Sequence, residues 1–130
     1  MLDILQYAVV ALIIYFILDF IWTLLVAKPL YEREVGEYVR EKPNYFASIL
    51  VMIFFSLGLA FFVIEPAITD TNIVFAMLAG LFFGFVASTF YALSNIAIFK
   101  KWSLPLALID ITWISFLSAA TSAFTYLIFA

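Results

Sequence analysis

The sequence contains no cysteine and no histidine. Without cysteine there is no disulfide framework, no thiolate chemistry and no Cys-x-x-Cys metal site. Without histidine the commonest metal ligand and the usual general base at neutral pH are missing. Zinc, haem and iron–sulfur chemistry are therefore excluded, and neither a metal nor a cofactor is expected. Charge is scarce as well, at 12% of residues. The six Lys and Arg form no basic stripe, so a nucleic-acid partner is not expected. Long polar runs are lacking except for one loop. No basic residue stands in "MLDILQ", and the apolar stretch that follows is too long for a signal peptide, so it reads as a permanent first helix.

Apolar residues fill the rest. At 68% hydrophobic and 20% aromatic, the chain is far richer in apolar residues than a soluble domain. About twenty such residues cross a bilayer as one helix. Four runs meet that length, at 4–27, 45–64, 72–99 and 103–129, the second closed by Glu65-Pro66. They are much longer than the roughly ten residues of a barrel strand. The expected fold is all-α, a polytopic membrane protein forming a single four-helix transmembrane domain over residues 1–130.

The basic residues set an orientation. Lys28, Arg33, Arg40 and Lys42 lie between the first and second runs, and Lys100 and Lys101 between the third and fourth. "EPAITDT", the middle loop, has none. The positive-inside rule puts the basic loops in the cytoplasm and both termini on the non-cytoplasmic side. In the first loop, "KPLYEREVGEYVREKP", Tyr31, Val35 and Tyr38 recur at helical spacing. A short interfacial helix is expected there, with a solvated connector as the alternative.

Within the apolar runs a few polar residues stand out. Asp19 lies roughly 12 Å from the cytoplasmic end of the first helix, and Asp110 roughly 10 Å from that end of the fourth. The third helix adds Asn95 and Tyr91, four positions apart and so on one face. Each Asp is followed three positions later by a Trp, Trp22 and Trp113, on the same helical face. An Asp near the bilayer centre costs about 2.5–3.5 kcal/mol to insert, and no Lys or Arg lies inside a span to offset it. These six residues are the candidate site for a proton, a cation or a small polar ligand. The competing reading makes the acids hydrogen-bonded glue between helices. Ala76, Gly80, Gly84, Ser88 and Ala92 put a small residue at every fourth position of the third helix. Such a stripe permits close helix contact, with Gly80, Gly84 and Ser88 as the helix-packing residues. Ser115, Ser118, Ala119, Ser122 and Ala123 answer it on the fourth helix, either within the chain or across a dimer.

Asp19-x-x-Trp22, Lys28-Pro29-x-Tyr31, Pro43-Asn44-Tyr45, Pro66, Tyr91-x-x-x-Asn95-x-Ala97, Trp102 and Asp110-x-x-Trp113 follow one another in a fixed order. In that order and spacing the chain resembles the domain-of-unknown-function family 2177, a family of predicted membrane proteins, over nearly its whole length. It departs from the family pattern at Ala92, where an acid is common, and at Ile114, where Gly is common. The resemblance implies a four-helix membrane fold and no particular activity.

Three classes of function fit these observations. The first is a small transporter or channel using the polar cluster. Its six-to-none loop charge bias favours a parallel homo-oligomer over an antiparallel one. The second is a structural or assembly subunit of a larger complex in the lipid bilayer. The third, an enzyme acting on a lipid or quinone, would rest on two Asp residues alone and ranks last.

Overall fold

The structure, a computed structural model, describes residues 2–27, 29, 45–100 and 103–129. The interfacial helix expected between the first two spans lies outside the described residues, as does Trp102. Helix α1 runs over Leu2–Trp22 and continues into a π turn at Thr23–Ala27. The second span comprises α2 (Tyr45–Leu59), a π turn (Ala60–Ile64) and a short α3 (Glu65–Thr69). Helices α4 (Ile73–Ile98) and α5 (Leu104–Phe129) follow. Four stretches are long and apolar enough to cross a membrane: Asp3–Val26, Phe46–Thr69, Ile73–Ile98 and Leu104–Phe129.

The second span does not close at Ile64, as the Glu65-Pro66 signal predicts. It carries on to Thr69 because Pro66 falls in the first turn of α3, where a missing N–H is tolerated. The π turn just before it widens the backbone where the ring must fit. The chain then reverses tightly. The Asn72 N–H donates to the Ala67 carbonyl at 2.9 Å and the Thr71 N–H to the Ile68 carbonyl at 3.2 Å. This is a Schellman closure whose left-handed position is held by Thr71 at φ 52°, where glycine is usual. Asn72 then caps α4, its Oδ1 accepting from the Phe75 N–H at 3.0 Å.

Helices α4 and α5 form the most extensive contact, α1 packs on α2 and α5, and the second span meets α5 chiefly through its π turn and α3. The small-residue stripe explains the α4–α5 closeness. Ala76, Gly80, Gly84, Ser88 and Ala92 are all buried in this interface or beside it. A Cβ on Gly80 would stand 2.9 Å from the Ser118 carbonyl, and one on Gly84 2.6 Å from the Ile114 carbonyl. Of the two partners left open by the sequence for this stripe, α5 of the same chain occupies it. The Ser88 hydroxyl donates to the Gly84 carbonyl at 2.7 Å, so it brings no bare donor into the interface.

The bundle has an acidic and a basic end. At the acidic end, near Asp3, Glu65 and Asp70, Tyr7, Ala8 and Ala11 pack on Leu59, Ala60, Val63 and Ile64. Ala67, Ala76 and Tyr126 pack nearby. Side chains such as Leu25, Phe46, Phe82 and Phe90 point outward, the face a bilayer would cover.

Candidate functional site

On α1, Tyr7, Ala11, Tyr15 and Asp19 repeat every four residues, and Trp22 follows three later, so they share one face. Tyr7, Ala11 and Tyr15 are buried and Asp19 and Trp22 partly so. Toward the basic end that face meets α5. The Trp22 and Trp113 rings stack with centroids 4.4 Å apart and 6° between planes. The indole Nε1–H of Trp113 donates to Asp19 Oδ1 at 3.1 Å. One side chain of α5 thus engages two turns of α1, with its ring face on Trp22 and its N–H on Asp19. The arrangement fixes the Asp19 carboxylate against a donor inside an apolar bundle, where that bond has little competition from water.

Asp110 occupies a different position from the one that equal depth suggests. It precedes Trp113 by one turn, about 4.5 Å nearer the basic end, whereas Asp19 precedes Trp22, the residue stacked on Trp113, by one turn toward the acidic end. The two acids are therefore staggered along the bundle. Asp110 is also rotated. The α1-facing edge of α5 is marked by Trp113 and its α4-facing edge by Ser118, whose hydroxyl lies over Gly84. At 100° per residue Asp110 falls about 60° from the first and about 80° from the second. It points between α1 and α4, into the bundle. On α4 the side chains of Tyr91 and Asn95 hydrogen-bond one another, and Tyr91 lies within electrostatic reach of Asp110.

Of the six residues, Asp19, Trp113 and Trp22 are in contact, while Tyr91 and Asn95 pair on α4 within electrostatic reach of Asp110. Tyr15 is a residue the sequence reading missed. It is buried one turn from Asp19, close enough to sense its charge, and its ring meets Phe55 of α2 at 5.3 Å. The Tyr15/Asp19 spacing of four, repeated by Tyr91/Asn95, was the signal available for it. Beside the Trp pair a shallow groove opens on the outer face, lined by Leu108, Thr112 and Phe116. The Thr112 hydroxyl donates to the Leu108 carbonyl at 2.9 Å and leaves no bare donor there. Among the described residues no group of three or more acids is gathered as a metal cluster.

Neither the curated proteins nor the solved structures yield a match to this chain. A family model does match, over residues 4–127, which takes in nearly the whole of the four spans, both Asp-x-x-Trp motifs and the Tyr91/Asn95 pair. The chain belongs to that family, described as "Predicted membrane protein (DUF2177)".

Proposed function

We propose that the protein binds and relays a proton or a small cation through the Asp19 and Asp110 subsites, in the manner of a small transporter or channel. The observation that carries this reading is the pair of carboxyls inside the spans, staggered by about two turns, with no Lys or Arg in any span. Acids in that setting are costly to insert and mark ion or proton pathways by default. Trp113 orients one carboxylate, and Tyr91 and Asn95 supply hydroxyl and amide groups beside the other. Stagger suits transfer, because a species leaving one carboxyl meets the next further along the bundle. The basic loops face the cytoplasm in this reading and both termini face outward, so Asp110 is the nearer acid to the cytoplasm. A parallel homo-oligomer is the assembly consistent with that single orientation.

The experiment is flux into proteoliposomes driven by a potassium diffusion potential, read separately with a proton-sensitive and a sodium-sensitive dye. Wild-type protein should exceed protein-free liposomes for at least one ion. Asp110→Asn, which keeps size and hydrogen bonding, should lose that excess while remaining folded by circular dichroism. Wild-type flux equal to empty liposomes for both ions would overturn the reading. Full flux in Asp19→Asn and Asp110→Asn would do the same. Either result would favour the second reading, an assembly subunit, for which the Asp19–Trp113 bond is an interhelical fastener.

A further inference from the structure

Two shallow grooves lie along the seam between α1 and α5, one toward each end of the bundle. At the basic end Trp22 of α1 stands across from Leu108, Ile109, Thr112, Trp113 and Phe116 of α5. At the acidic end Leu5, Gln6, Val9 and Val10 of α1 meet Phe129 of α5. Their residues fall in opposite halves of the first and last spans, so in a bilayer the two grooves open to opposite leaflets.

The basic-end groove is shaped for a hydrocarbon chain. On α5, Leu108, Thr112 and Phe116 recur every four residues, so the groove runs roughly along the helix for about 12 Å. The Trp22–Trp113 stack forms its other wall. The Thr112 hydroxyl is committed to the Leu108 carbonyl at 2.9 Å, and the Trp113 indole N–H to Asp19 at 3.1 Å. Apolar side chains and ring faces are left to line a trough that runs in the direction of lipid tails.

The mouths of the two grooves differ in charge. The first loop balances Lys28, Arg33, Arg40 and Lys42 against Glu32, Glu34, Glu37 and Glu41. The net positive charge of the basic end therefore comes from Lys100 and Lys101, in a stretch with no acid between Asp70 and Asp110. Lys100 is exposed, and the groove begins one turn inside α5, below the loop that carries both lysines. The acidic-end groove has Asp3 one turn from Gln6, and no Lys or Arg precedes Lys28 or follows Lys101.

We propose that the basic-end groove seats one acyl chain of an anionic phospholipid whose headgroup is held by Lys100 and Lys101. Lipid tails are as apolar as the groove, so the groove sets position by packing and supplies little preference of its own. Preference comes from the two lysines, since each basic side chain near the membrane surface attracts anionic lipid. The acidic-end groove offers the same headgroup no attraction. The site holds whether or not ions cross the protein.

The two groove tryptophans supply the test. In a Trp102→Phe background only Trp22 and Trp113 emit. The protein is placed in phosphatidylcholine vesicles that contain an equal small fraction of either phosphatidylglycerol or phosphatidylcholine brominated midway along an acyl chain. Quenching of Trp emission then reads which lipid occupies the groove. Phosphatidylglycerol should be preferred by about fivefold or more. Lys100→Gln with Lys101→Gln should bring the ratio close to one. Thr112→Phe, which fills the groove and keeps both lysines, should do the same, while Val9→Phe in the acidic-end groove should leave the ratio unchanged. A wild-type ratio near one overturns the proposal, as does weak quenching by both lipids, the result expected if a second copy of the chain covers the groove. A ratio that survives either the lysine pair or Thr112→Phe overturns it too, and so does an equal fall in Val9→Phe.

Discussion

Trp113 and Asp19 stand 94 positions apart in the chain and are joined by a 3.1 Å hydrogen bond from the indole N–H to the carboxylate. The same indole stacks on Trp22, so the second Asp-x-x-Trp motif grips the first across the α1–α5 interface. The two motifs therefore meet through Asp19, Trp22 and Trp113. Trp22 and Trp113 are part of the helix contact, and Asp19 is the acid that contact immobilises.

Trp113→Phe keeps an aromatic ring for Trp22 but deletes the donor to Asp19. It should lower stability by about 0.6–1.7 kcal/mol, the range measured for hydrogen bonds between membrane helices. A double-mutant cycle with Asp19→Leu, read by unfolding in mixed micelles, should return a coupling energy of that size. Zero coupling would mean that the bond contributes nothing in the membrane.

Gly84→Ala and Gly58→Ala should differ sharply. At Gly84 the new methyl would meet the Ile114 carbonyl at 2.6 Å, which is backbone of a helix that cannot retreat alone. At Gly58 it would meet the far edge of the Phe83 ring at 2.7 Å, and a side chain can swing away. A loss of about 1–3 kcal/mol is expected at Gly84 from overpacking and less than half of it at Gly58. Equal losses would contradict the tight α4–α5 interface.

Thr71→Gly should stabilise the protein. A β-branched residue at φ 52° is strained, and glycine adopts this Schellman position freely. The gain should be about 0.5–1 kcal/mol, seen as a higher Tm with an unchanged helical spectrum.

A reporter active only in the cytoplasm, fused after Ala130, should stay silent, and one inserted in the first loop should be active. That outcome follows from the absence of Lys and Arg in the middle loop and at both ends. The reverse pattern would invert the bundle and make Asp19 the acid nearer the cytoplasm.

The sequence by itself determined the number of spans and their helical character, because crossing a bilayer demands about twenty apolar residues whatever they pack against. It also marked the polar residues, since an acid in such a run is conspicuous by chemistry alone. Position along the bundle was different. Counting residues from the helix ends put Asp19 and Asp110 at nearly one depth, but helices slide and rotate to satisfy packing. The Trp22–Trp113 stack and the glycine contacts of α4 set the register that staggers the two acids. The end of the second span was misread for a similar reason. Pro66 is a strong local stop signal, yet a π turn upstream let the helix pass through it. Ser56 and Thr121, buried hydroxyls with no hydrogen-bond partner among the described residues, were invisible because a lone hydroxyl in an apolar helix normally bonds its own backbone. Only the tertiary structure decides which hydroxyls turn away from that bond.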